Sequence, residues 1–164
     1  MSDAPPPFPR PRNVIYFFSA ANPIPLAGIA NLPYTDVILG FLIPDSTATE
    51  LVGDGPAFTD TLQNDIQALQ AAGKNVLISV GGEVNNTDPA WTGWTSAKYG
   101  TFNGNVPGLV QQIVSWVESI GANGVDIDFE DSNAFTGKAD YDGITFLSTL
   151  TTGPGLFNAL VLDW

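Results

Sequence analysis

The chain has 164 residues, 44% of them hydrophobic and 13% charged, which is enough length and apolar content for one folded domain with a real core. Its net charge of −12 leaves only Arg10, Arg12, Lys74, Lys98 and Lys138 positive, so nucleic-acid backbones and anionic membranes are disfavoured partners and a neutral ligand suits the surface. With no cysteine and no histidine, the chain excludes disulfides, thiolate or His-ligated metal sites and Ser-His-Asp catalysis, leaving Asp, Glu, Tyr and Lys for acid–base work.

In chain order, residues 1–12 form a Pro-rich, polyproline-like lead-in without the apolar centre of a signal peptide, and residues 13–164 form the domain. No apolar run approaches transmembrane length. The compartment stays open: secreted if a leader has been removed, cytoplasmic otherwise. Residues 13–19 (Val14-Ile15-Tyr16-Phe17-Phe18) and 36–43 read as strands, nearly continuous in apolar character, as parallel strands covered on both faces are. The segment between them, 20–33, carries three prolines and at most a short helical turn. Phe58, Leu62, Ile66 and Leu69 recur at helical spacing, with Gly73 at the C-terminal cap position. A third strand spans 75–80 and is followed by Gly81 and Gly82. A polar loop then carries Glu83, Trp91, Trp94, Tyr99 and Phe102. Val106, Leu109, Val110, Ile113, Val117 and Ile120 make a second helical stripe closed by Gly121, and the fourth strand follows at 124–130. A last helix is predicted over 140–150 with Ile144, Leu147 and Leu150 inward, and 159–162 has the composition of a short fifth strand.

The predicted fold class is therefore α/β, with four βα units whose right-handed crossovers build a parallel sheet. Four units are half of an eight-stranded (β/α) barrel, whose usual length is roughly 250 residues. An open doubly wound sheet of four or five strands also fits the length. A half barrel leaves two unprotected parallel edges, so self-association of two copies into a closed barrel is one way to complete it.

The fourth strand carries the chemistry. Asp126, Asp128 and Glu130 alternate with Val125, Ile127 and Phe129, so the three carboxylates share one face of an extended strand. Strand rise sets them roughly 6.5–7 Å apart, and such neighbours resist joint ionisation, which raises a pKa toward neutrality and suits a general acid. Three carboxylates also suit a hard divalent cation, but no Asp-rich loop or further ligand cluster accompanies them, and neither metal nor cofactor is expected. Ser79, Gly81 and Gly82 fit a tight strand-to-loop turn. Trp91 and Trp94 fit either a sugar-stacking platform or a small satellite core that pins their loop.

Two segments together resemble the family 18 glycoside hydrolases, which include chitinases, endo-β-N-acetylglucosaminidases and inactive chitinase-like lectins. Asn75-Val76-Leu77-Ile78-Ser79-Val80-Gly81-Gly82 matches the Ser-x-Gly-Gly end of that family's third barrel strand. Gly124-Val125-Asp126-Ile127-Asp128-Phe129-Glu130 matches its Asp-x-x-Asp-x-Asp-x-Glu fourth strand, with Asn123 at the first acidic position. The resemblance covers residues 13–150, the family's N-terminal half. It implies a TIM-barrel type fold and hydrolysis of chitin or N-acetylglucosamine-containing oligosaccharides, with no cofactor. It also implies that Glu130 is the general acid and then base, that Asp128 orients the substrate's 2-acetamido group, and that Asp126 shares a proton with Asp128. Tyr16-Phe17 and Phe41 resemble the family's sugar-lining aromatics, and Ser79, Gly81 and Gly82 its site wall. The family's later strands supply further acetamido-holding groups and a floor Trp, which this chain does not reach; Trp164 comes too early for that position. The same resemblance carries the binding-only alternative, a chitinase-like lectin that keeps the site without turnover.

Overall fold

The computed structural model describes residues 11–18, 24–45, 47, 49–82, 105–131, 133–138 and 142–152. Within them the chain runs β1 (Val14–Phe17), a 3-10 helix (Leu26–Asn31), β2 (Asp36–Pro44), β3 (Leu51–Gly53), α1 (Leu62–Ala71), β4 (Asn75–Gly81), α2 (Val106–Ile120), β5 (Gly124–Asp128), α3 (Asn133–Thr136) and α4 (Gly143–Thr151). Strands β1, β2, β4 and β5 lie side by side in that order, each pair parallel.

The side on which the helices lie decides between the two architectures. Val37, Leu39, Val76, Ile78, Val80 and Val125 share one face of the sheet and enter a single core with Leu62, Ile66 and Leu69 of α1, Leu109, Ile113 and Val117 of α2, and Phe146 and Leu150 of α4. A doubly wound sheet needs helices on both faces. Here the described helices share one, which is the arrangement of a (β/α) barrel wall. Strand alternation turns Tyr16, Asp36, Ile38, Leu77, Ser79 and Asp126 to the opposite face.

The helices end where the residues dictate. Asn105 Oδ1 accepts the Gly108 N–H at the start of α2, and Gly121 closes it in the left-handed region at φ 73°. Gly73 plays the same part after α1, at φ 80°.

Several boundaries differ from the sequence reading. The first strand is Val14–Phe17, the fourth ends at Asp128, and Phe58 precedes α1 instead of joining its stripe. On the last helix Leu150 is buried and Leu147 packs against the core as read, but Gly143 and Phe146 join them and Ile144 is 71% exposed. Asp142 fixes that phase by accepting the Thr145 N–H, 2.8 Å, and the Phe146 ring stacks on Phe129 with centroids 5.8 Å apart. Strand β3 was not expected. It pairs antiparallel with the end of β2 across a turn organised by Asp45. Asp45 accepts hydrogen bonds from the Thr47 hydroxyl and from the Thr49 and Glu50 N–H groups, which holds its carboxyl down at about 2. The lead-in up to residue 10 and the fifth strand at 159–162 lie outside the described residues.

Candidate active site

Pairing of β4 with β5 sets Ser79 beside Asp126 and Gly81 beside Asp128. The Ser79 hydroxyl, fully buried, donates to Asp126 Oδ2 at 2.7 Å, and the Tyr16 hydroxyl donates to the same oxygen at 3.1 Å. Asp126 is itself only 5% exposed, so these two donors stabilise a charge that burial alone would disfavour. Tyr16 belongs to β1 and Asp126 to β5. Three inter-strand steps of a flat sheet would separate those strands by roughly 14 Å, too far for the two side chains to meet. The sheet is therefore curled, and its helix-free face is the concave one.

The acidic residues emerge by degrees from this concavity. Asp126 is buried, Asp128 intermediate, and Glu130 exposed two residues past the strand end. The sequence reading placed all three on one extended strand; the structure keeps Asp126 and Asp128 there and leaves Glu130 beyond it. Burial, reinforced by the charges of Glu130 and then Asp126, pushes the Asp128 carboxyl up to about 6. Glu130 is thus near enough for its charge to act on Asp128. Among the described residues no three acidic side chains converge as metal ligands.

The loop end of β4 is shaped by glycine. Gly81 and Gly82 have φ of 128° and 97°, and the Gly82 N–H donates to the Asp128 carbonyl at 2.9 Å. A Cβ on Gly82 would lie 3.3 Å from the Phe41 ring, so the missing side chain admits that ring. Phe41 is 7% exposed and packs against the half-exposed Phe18, centroids 5.8 Å apart. Tyr16 is 39% exposed, whereas Phe17 is buried in the helix-side core and is not a site aromatic. Asn123 Oδ1 accepts the Val76 N–H at 2.8 Å and a Gln70 amide hydrogen at 3.1 Å, tying the entrance of β5 to β4 and α1. Glu83, Trp91, Trp94, Tyr99 and Phe102 lie outside the described residues.

Two features of the concave face escaped the sequence reading. Asp36, 1% exposed, accepts from Arg12 at 2.9 Å, from the Thr35 hydroxyl at 2.6 Å and from Asn75 at 3.1 Å. Burial opposes its ionisation, but these donors and the Arg12 charge outweigh it and hold the carboxyl below its ordinary value. The other is the hydroxyl pair on Asp126. Tyr16 and Ser79 were read as sugar-site residues, not as partners of Asp126.

No protein-family model and no curated protein matches the chain. Solved structures do. A GH18 chitinase from Pseudoalteromonas aurantia superposes with a TM-score of 0.77 and 31% identity over 93% of this chain and 55% of that one. The C-terminal domain of Legionella pneumophila ChiA gives 0.67 with 20% identity over 93% and 46%. A class V chitinase mutant from Nicotiana tobaccum in complex with NAG4 gives 0.55 with 16% identity over 71% and 32%. The last two show the fold alone. The chain spans between about a third and a little over half of the length of these structures, and the resemblance to family 18 read from its strand motifs holds across fold and sequence.

Proposed function

From its kinship with the family 18 glycoside hydrolases over about half their length, we infer that this chain carries the acid-bearing wall of a chitinase-type site acting on β-1,4-linked N-acetylglucosamine. The observation that carries the reading is the graded carboxylate row: Asp126 buried under two hydroxyl donors, Asp128 raised to about 6, Glu130 exposed at the rim.

In this reading Glu130 protonates the glycosidic oxygen as the bond to the anomeric carbon breaks. Asp128 holds the 2-acetamido N–H and turns the acetamido oxygen onto that carbon, so an oxazolinium ion forms without an enzyme nucleophile. Glu130, now a carboxylate, removes a proton from the water that opens the ring, and configuration is retained. A carboxyl near 6 is ionised in most molecules at neutral pH and so can accept the acetamido N–H. Tyr16, Phe41, Ser79, Gly81 and Gly82 would form the wall of the sugar site, with Trp91 and Trp94 as stacking rings.

The rival reading is a chitinase-like lectin, which keeps the same carboxylate row as a sugar-binding wall without turnover. Turnover of a fluorogenic N-acetylglucosamine oligomer by the 164-residue chain, beside Glu130→Gln, separates the two. Hydrolysis that falls by about 10²-fold or more in the variant supports the hydrolase. Oligosaccharide binding without turnover in either protein supports the lectin.

A further inference from the structure

A groove of about 470 Å³ opens between β3 and the exposed side of α2. Glu50 and Leu51 form one wall, and Gly108, Gln111, Ser115 and Trp116 the other. Since α2 packs on the helix-covered face, the sheet separates this groove from Asp126, which faces the concavity. The helix positions follow an i, i+3, i+7, i+8 stripe, so the floor runs along the helix axis for about 12 Å.

The walls are bonded to each other. Gln112 stitches them together, its Oε1 accepting the Leu51 N–H at 2.7 Å and its Nε2 donating to the Thr49 carbonyl at 2.8 Å. Trp116 is fixed at both ends: Nε1–H donates to the Leu51 carbonyl at 3.2 Å, and the indole meets Phe58 edge-on with centroids 6.0 Å apart. Against this frame, the side chains of Gln111 and Ser115 and the Glu50 carboxylate make no hydrogen bond to any of the described residues. The groove thus combines a preorganised aromatic ring with an unengaged amide, hydroxyl and carboxylate. An indole face attracts the C–H-rich face of a pyranose through its quadrupole, and the three polar groups match hydroxyl and acetamido hydrogen bonds. Glu50 and the net charge of −12 disfavour an anionic ligand.

We propose that this groove is a second saccharide-binding site, taking a neutral oligosaccharide of the N-acetylglucosamine type on the outside of the sheet. It does not depend on turnover at the acidic strand. The test is ¹⁵N–¹H NMR of the full chain carrying Glu130→Gln, titrated with the N-acetylglucosamine tetramer. Trp116→Phe and Gln111→Ala assign the indole and side-chain amide signals. Saturable shifts at both signals are expected, and in the Gln111→Ala/Ser115→Ala double variant the affinity read from the remaining Trp116 indole signal should fall about tenfold. Both positions are exposed, so circular dichroism of the double variant should stay unchanged. Shifts confined to the acidic strand, no shifts at all, or groove shifts that the double variant leaves at full affinity overturn the proposal. Turnover by the native chain without groove shifts removes this site alone, while groove shifts without turnover remove the hydrolase reading alone.

Discussion

Ionisation at Asp128 runs against stability. Its carboxyl is raised from 3.8 to about 6, so the folded chain holds that proton more tightly than the unfolded one. The stability this contributes is complete below the unfolded value and is lost as pH rises through about 6. Asp128→Asn should therefore gain stability on the wild type above pH 6, in urea unfolding followed across that window. A variant that tracks the wild type across the window would contradict the assignment. Ser79→Ala should cost about 1.5–3 kcal/mol, because it strips a buried carboxylate of a donor without freeing it to water; the shift in urea midpoint measures it. The three carboxylates were legible in the sequence because alternation is local. The Ser79 hydroxyl was not, since its partner is 47 residues away and only the register of β4 against β5 brings them together.

Elements with long periodic stripes and strong ends were legible. The α2 stripe closed by Gly121 is observed as read, because apolar residues at helical spacing and a left-handed cap are set by near neighbours. Gly121→Ala should lower stability by about 1–2 kcal/mol from backbone strain alone, since an added Cβ there meets nothing within 4 Å; a thermal melt of the variant gives the value. Strand β3 was invisible because three residues carry no period, and its pairing is made by the Asp45 turn. On α4 only Ile144 was misplaced, because the Asp142 cap and the Phe146–Phe129 stack turn Phe146 inward in its stead.

At the scale of the molecule, composition left barrel wall and doubly wound sheet equally open. Only the placement of α1, α2 and α4 on one face separates them. Arg12 joins the segment before β1 to Asp36 at the start of β2, between side chains 30% and 2% exposed. Because the Asp36 carboxyl is held below its ordinary value, the stability it contributes is present above that value and lost as pH falls through the lowered one. Arg12→Ala should cost about 1 kcal/mol at pH 7, and the gap from wild type should close in acid; equal denaturation curves at pH 7 would count against the pair. The bond from Tyr16 to Asp126 reaches further than either residue's own role. It joins the outer strands of the parallel sheet, 110 residues apart in sequence, across the concavity. The bond therefore ties the bend of the sheet to one pair of side chains. Tyr16→Phe should thus loosen the hold of β1 on the far side of the cleft, and faster amide hydrogen exchange in that strand would register it.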